Sequence, residues 1–411
     1  MKRSQRLFPM AIVCALSATT LIACGSSGSN SSGGATGGSG SAPIKIGGTL
    51  GLTGSLSITA VEYKAVYDLW AKKVNASGGL LGRQVVMDIK NDNSTAATAQ
   101  SLYQTLISSD HVDLLLGPFA TFVGVPVVPL ARAANMVLFN GGFVGLRYFN
   151  EAQGWMVGTY TYQEPDYSRG LFAAVADLPA DKRPSKVAIL TNNTPFTLGV
   201  RDGSEGQGGV VNFAKQAGMQ VVFSETYSGR TTDFTAAVQR ASAAGADMFI
   251  ILGMPNDSDN IVKAAHVLGY KPKITCTCGS QVSTLPNWGQ LGAVTDGVVG
   301  TTVAWPTQKN NGAQDVEAFS KSRGESVVPA YDYVAYAALQ VMQQAVEGAK
   351  TLDQNKLKDY IYSHTFDTAV GKQKYQPNGT FEFSGLVTQT VGGNQQVIWP
   401  PSIATAKLVT Q

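Results

Sequence analysis

A strand-length run, a hydroxyl-rich turn, a helix and a second strand follow one another between Ile44 and Asp92, and this unit constrains everything after it. Ile44-Lys45-Ile46-Gly47-Gly48-Thr49-Leu50 is apolar enough for a buried strand, and Gly51 to Ser57 is its turn. The pattern from Thr59 to Asn75 predicts a helix, with Glu62, Asp68 and Lys72 on one side and Val66, Leu69, Trp70 and Val74 on the other. Gly78-Gly79 stops it, and Val85 to Ile89 has the character of a second strand. Strand, crossover helix and strand make a βαβ unit, which requires a parallel sheet. Turns at the carboxyl edge of such a sheet present backbone N–H groups and helix starts outward, where ligands bind. The turn carrying Ser55 and Ser57 is therefore expected to form one jaw of a ligand cleft.

The alternation continues. Strands are expected at Val112–Leu116, Met136–Phe139, Lys186–Leu190, Val221–Ser224 and Ala246–Gly253, and helices near Ala96–Ser108, Val125–Asn135, Gln163–Leu178, Gly209–Ala217 and Asp233–Ala244. The aromatic-rich stretch Arg147–Tyr162 is read as the passage into a second lobe, and Val298–Trp305 as the return to the first. A long helix is expected from Pro329 to about Gly348, and the alternation at Phe381–Phe383 and Val387–Ile398 finishes the second lobe. Thr191 to Phe196 and Met254 to Ser258 are expected as loops after strands.

The 411 residues are 44% hydrophobic, enough for two sizeable cores. Lys2, Arg3 and Arg6 are the only charged residues before position 24, so the formal charge of +3 belongs to that segment and the remaining 28 basic and 28 acidic residues balance. A near-neutral body argues against nucleic acid or an anionic membrane surface as partner, since each needs a basic face. The basic start and the apolar run Leu7–Ile22 predict an export signal over residues 1–23. Residues 25–43 are almost entirely Gly, Ser, Ala, Thr and Asn, a linker that reaches on the order of 25 Å. Cys14 leaves with the signal, and Cys276-Thr277-Cys278 permits a small-ring disulfide or two reduced thiols. No metal is expected there, because no second Cys or His cluster accompanies the pair. His111, His266 and His364 stand in no catalytic pattern, and no Gly-x-Ser-x-Gly elbow occurs. Gly48 to Gly54 lacks the lysine of a phosphate loop and the spacing of a dinucleotide fingerprint. Neither an enzyme nor a cofactor is expected.

Two stretches resemble known patterns. Leu21-Ile22-Ala23-Cys24 resembles the bacterial lipobox, which implies cleavage before Cys24 and a lipid on it. Val74-Asn75-Ala76-Ser77-Gly78-Gly79-Leu80-Leu81-Gly82-Arg83 resembles the "N-A-x-G-G-x-x-G-R" signature of type I periplasmic binding proteins, the leucine/isoleucine/valine-binding branch of ABC-importer receptors. Gly117-Pro118 with Pro129, Val298–Trp305 and Tyr331-Asp332 are similar to later blocks of that family, so the likeness spans 44–411.

The resemblance implies an α/β fold of two Rossmann-like lobes with parallel sheets, three crossings between them and a ligand cleft. The lobes are expected at 44–160 plus 302–368 and at 161–301 plus 369–411. It implies capture of a small polar solute (a branched-chain or other amino acid, an amide or a related small acid) and delivery to an ABC permease and its ATPase. The protein would be a monomer anchored through Cys24 to the extracytoplasmic face of a bacterial membrane; the alternative role is a tethered sensor signalling through a partner receptor. In the first lobe the positions that hold a carboxylate in the family are Phe119-Ala120-Thr121 and Asn140-Gly141-Gly142 here. Phe196 matches the usual aromatic of the second lobe; Met254, Asn256 and Gly279 fall in its loops, Trp305 at a crossing and Asp332 at a helix start. The family's acid for a ligand ammonium is missing from Cys276–Ser280. Asp166, Asp257 or Asp332 must then supply it, or the ligand is not an ordinary amino acid. Thr121→Ala is expected to weaken binding with little loss of stability.

Overall fold

The computed structural model describes residues 42–160, 163–204, 206–305, 309–325, 327–381 and 385–411. The expected signal segment, Cys24, all but the last two linker residues, Tyr162 and Phe383 lie outside them. Among the described residues no helix is long and apolar enough to cross a membrane.

The first sheet contains β1 (Ile44–Leu50), β2 (Val85–Asn91), β3 (Leu114–Leu116), β4 (Leu138–Asn140) and β5 (Met156–Gly158), in the order β2-β1-β3-β4-β5 and parallel throughout. The β1–β2 register runs from Ile44 opposite Val85 to Leu50 opposite Asn91, so the opening unit pairs along its whole length. The second sheet contains β6 (Lys186–Asn192), β7 (Gln220–Tyr227), β8 (Met248–Leu252), β9 (Ile274–Thr277) and β10 (Val299–Thr302). Past a hairpin of β11 (Thr365–Thr368) and β12 (Gly371–Lys374), that sheet gains β13 (Leu386–Val391) and β14 (Asn394–Trp399). Its order is β14-β13-β10-β9-β8-β6-β7, parallel from β7 to β10 and antiparallel at the β13–β14 edge. Strands buried on both faces are continuous apolar runs, Leu114–Leu116 and Met248–Leu252 being the plainest.

The chain passes between the sheets three times: after β5, after β10 and after β12. Following the second passage, helix Ala330–Ala349 packs against helix Ser57–Ala76 of the opening unit and against the β11–β12 hairpin. Trp70 Nε1 donates to Gln343 Oε1 at 3.1 Å, and Gly158 N donates to Gly379 O at 3.0 Å, so residues from both ends of the chain complete the first lobe.

Several local expectations differ from what is observed. Val125–Asn135 is broken into short helices at Thr121–Gly124 and Val128–Ala133 with a 3-10 turn between, because Pro126 and Pro129 cannot donate to a continuous ladder. The Gln163–Leu178 helix begins as a 3-10 turn holding Pro165 and continues at Arg169–Ala176. Phe196, expected in a loop, lies in helix Pro195–Asp202, whose start is made by Thr194 at the cap and proline in the first turn. Ser57 is the first residue of its helix, and Glu62 faces inward rather than with Asp68 and Lys72.

Candidate functional site

Loops leaving the carboxyl ends of the parallel strands converge on one cavity between the sheets. Phe119, Ala120, Thr121 and Phe122 follow β3, Gly142, Phe143 and Val144 follow β4, and Tyr160 follows β5. From the second sheet come Thr194 and Phe196 after β6, Met254 after β8, and Gly279 with Ser280 after β9; Tyr167 and Tyr331 complete the wall. The cavity has a volume of about 40 Å³ and adjoins a wider vestibule of about 510 Å³ that shares Phe119, Phe122, Thr194 and Met254 with it. Ser55, Asn256 and Asp257 line the vestibule.

The chemistry of the inner wall is aromatic and uncharged. Tyr331 meets Phe119 edge-on at 5.3 Å between ring centroids, and Phe196 meets Tyr167 edge-on at 5.1 Å. Burial pushes the Tyr331 phenol up to about 12 and holds Tyr160 well above its ordinary range, so both are neutral hydroxyls. None of the lining residues is an acid or a base.

Most polar groups of the wall already have partners. Thr121 Oγ1 donates to Val144 O at 3.1 Å, and Thr194 Oγ1 lies 2.7 Å from Thr197 Oγ1 in a capping box. Gln281 Nε2 donates to Tyr160 OH at 3.2 Å while its Oε1 accepts from Val303 N at 3.0 Å, tying the loops after β5 and β9 to the second passage. Ser280 Oγ is different: it is buried and has no hydrogen-bond partner among the described residues. A hydroxyl in that condition has given up water without a replacement, which costs free energy unless a ligand atom supplies the bond.

Of the residues expected from sequence, Phe119, Ala120, Thr121, Gly142, Phe196, Met254 and Gly279 share this cavity, and Ser55 and Asn256 share its vestibule. Asn140 sits beneath it: Oδ1 accepts from Gly142 N and Phe143 N, each at 3.0 Å, and Nδ2 donates to Phe143 O at 2.8 Å, folding the turn that carries Gly142. Gly141 is covered by helix Ala330–Ala349, with its carbonyl accepting from Tyr63 OH at 2.6 Å. Ser57 is half-buried at its helix start. Trp305 lines a separate depression with Trp288, Arg323 and Val328, and Asp332 accepts from Ser320 Oγ at 3.2 Å in the first lobe's interior. Cys276 and Cys278 are joined as a disulfide directly before Gly279. Phe122, Phe143, Tyr160, Tyr167, Ser280 and Tyr331 were not foreseen. Their available signal was position alone, a ring or hydroxyl a few residues past a buried strand or at a helix start.

Thr121 departs from expectation energetically. Its side chain is 4% exposed and braces the Val144 loop, so Thr121→Ala is expected to lower stability by about 1 kcal/mol as well as disturb the cavity. Urea midpoints of the two proteins measure this.

None of the acids proposed for an ammonium reaches the cavity. Asp166 pairs with Arg169 on the surface. Asp257 stays in the vestibule, where its Oδ2 accepts from Asn192 Nδ2 at 2.7 Å and Tyr227 OH at 3.1 Å. Nearby, Asp259 is 6% exposed, and burial pushes its carboxyl up to about 6 against the opposing effects of Lys263 and Asn287. A native state with the higher carboxyl pKa binds more protons than the unfolded chain, so this group's contribution to stability falls as pH rises from about 4 to about 6. Asp259→Asn is expected to be more stable than the parent by about 2 kcal/mol at pH 8 and indistinguishable from it near pH 4, as read by urea unfolding at both pH values.

The comparisons with known proteins follow this geometry. A family profile described as "Periplasmic binding protein" matches residues 43–394. Leu/Ile/Val-binding protein homolog 7 of Brucella abortus (strain 2308) is 24% identical over 388 residues, covering 90% of this chain and 94% of the relative. The branched-chain amino acid transporter substrate-binding protein LivJ of Streptococcus pneumoniae, solved with isoleucine, superposes with a TM-score of 0.73 at 19% identity over 87% of this chain and all of that one. A solute-binding protein of an ABC transporter from R. palustris, solved with benzoate, gives 0.72 at 17% identity over 87% of this chain and 95% of that one. The chain belongs to the periplasmic binding protein family, in its type I, leucine/isoleucine/valine-binding-like branch.

Proposed function

We propose that this protein is the substrate-binding receptor of an ABC importer, capturing a small solute by closure of its lobes and passing it unchanged to a permease and its ATPase. The observation that carries the reading is the uncharged aromatic cavity at the facing carboxyl edges of two parallel sheets, with Ser280 Oγ left without a partner. Each lobe offers half of the contacts, so ligand stabilises the closed arrangement over the open one. A division of the lobes after residues 160 and 301 belongs to the same proposal, as do the lipid anchor on Cys24, the extracytoplasmic location and the monomeric state. The division expected at 368 would split the β11–β12 hairpin and moves past Gly379, whose carbonyl accepts from Gly158 N in the first lobe.

The wall chemistry narrows the ligand. An ammonium brought into this cavity would meet no carboxylate, a cost of several kcal/mol. A carboxylate or amide oxygen is better served, because the unpartnered Ser280 Oγ can donate to it, and the rings fit an apolar or aromatic body. Among the solutes bound by the two solved neighbours, benzoate matches this wall better than isoleucine does. The test is a thermal-shift screen of amino acids against their deamino counterparts, amides, urea and aromatic acids, followed by calorimetry on Ser280→Ala. Hits among solutes without an ammonium are expected, with Ser280→Ala binding them roughly ten-fold more weakly while its ligand-free stability is no lower than the parent's. Hits confined to amino acids reject the ligand class, and turnover of a hit rejects the receptor role.

A further inference from the structure

Three carboxylates from three separate elements meet in the first lobe, away from the ligand cavity. Glu62 comes from helix Ser57–Ala76, Glu325 from the turn after helix Ala313–Ser322, and Asp332 from the first turn of helix Ala330–Ala349. One oxygen of each lies within 4.8 Å of the other two. Among the described residues, Arg323 is the cation that contacts the group, pairing with Glu62 and, at 2.8 Å, with Glu325. With all three ionised, one guanidinium leaves two negative charges uncompensated, and burial together with the Glu62 and Glu325 charges holds the Asp332 carboxyl well above its usual range.

The second observation is that oxygens in this cluster lack partners. Asp332 is fully buried, and its Oδ1 accepts no hydrogen bond from any described residue although Oδ2 accepts from Ser320 Oγ at 3.2 Å. Glu325 Oε2 is likewise buried without a partner. Buried anionic oxygens with neither donor nor counter-charge are costly to maintain. An ion of charge +2 removes both deficits at once.

The donor set selects the class of ion. Oxygen-only ligands suit hard cations. Calcium accepts an irregular set of carboxylates completed by water, whereas magnesium demands near-ideal octahedral geometry. Arg323 and Glu325 also border the depression lined by Trp288 and Trp305, which gives an ion a route in and room for water ligands. We propose that Glu62, Glu325 and Asp332 form a calcium-type divalent cation site, with Arg323 as its fixed neighbouring charge. The ion would pin the segment arriving from the second passage to helices at the two ends of the first lobe.

The test is a set of thermal melts of the full chain in 5 mM EGTA, 2 mM CaCl2 and 2 mM MgCl2, with calorimetry for stoichiometry. The expected result is a rise of roughly 2–5 °C in calcium, less in magnesium, and one calcium per chain. Asp332→Asn keeps the side chain's shape and removes an anionic ligand, so it is expected to melt no lower than the parent in EGTA and to have lost the response to calcium. Should Asp332→Asn fail to fold, Glu325→Gln provides the same comparison. Equal melting temperatures of the parent in EGTA and calcium overturn the proposal, as does a calcium response retained in both variants.

Discussion

Gly142→Ala is expected to destabilise the protein by about 3 kcal/mol and to abolish its response to ligand. A Cβ at this position would lie 2.0 Å from the carbonyl oxygen of Pro118 and 3.1 Å from Phe119 N. Overpacking a core typically costs about 1–3 kcal/mol, and the upper end applies because the obstructing atoms are backbone, which cannot change rotamer. Relief requires the loops after β3 and β4 to separate, and they carry Phe119, Thr121 and Val144 into the same cavity. Stability and binding are therefore expected to fall together, a coupling that removal of a mere contact would not produce. Gly289→Ala is the control: nothing lies within 4 Å of a Cβ there and the residue is helical, so it should not lower the urea midpoint. A Gly142→Ala midpoint matching the parent would mean that the turn has slack, and that the close approach does not position the cavity wall.

The contrast between Gly142 and the glycines of the Asn75–Arg83 signature indicates what a sequence reveals. The signature is legible because the chain demands it locally. Asn75 Oδ1 accepts from Val85 N at 2.7 Å and Nδ2 donates to Val85 O at 2.9 Å, while Gly79 has φ of +79° with the Arg83 carbonyl where a Cβ would be. Those requirements join helix Ser57–Ala76 to β2 and identify the fold, but they carry no information about the ligand. The buried strands were equally open to inference, since the apolar runs at Leu114–Leu116 and Met248–Leu252 fit strands covered on both faces. The cavity was half legible. The loops after β3, β4, β6, β8 and β9 lie where the parallel-sheet rule puts a site, but Thr121, Gly142, Phe196 and Gly279 within them were named from the family resemblance. Tyr160, Ser280 and Tyr331 depend on how separate loops meet, and nothing within any one loop marks them. Glu62 was grouped with Asp68 and Lys72 for the same reason, because the residue that meets it, Arg323, lies 261 positions away.

That distant pair leads to the other large effect. Arg323→Met is expected to lower stability by about 3 kcal/mol in chelator, although methionine fills much of the same space. The loss comes from what remains: Glu62 with a side chain 9% exposed, Glu325 at 8% and Asp332 fully buried, with no cation between them. Removing one partner of a buried ion pair costs about 3–5 kcal/mol because the other charge is stranded. Here Arg323 is itself 28% exposed and water reaches one side, which argues for the lower end of that range. Shape and charge are separated by a double-mutant cycle. If the deficit is stranded charge, Arg323→Met combined with Asp332→Asn should recover a large part of it, an interaction of about 1–2 kcal/mol between residues that share a cluster. If the two single effects simply add, the guanidinium acts through packing on the Phe319 ring, whose centroid lies 5.3 Å away, rather than through its charge. Calcium added to the single variant provides an independent reading, because an ion able to replace the missing positive charge should raise the melting temperature of Arg323→Met more than that of the parent.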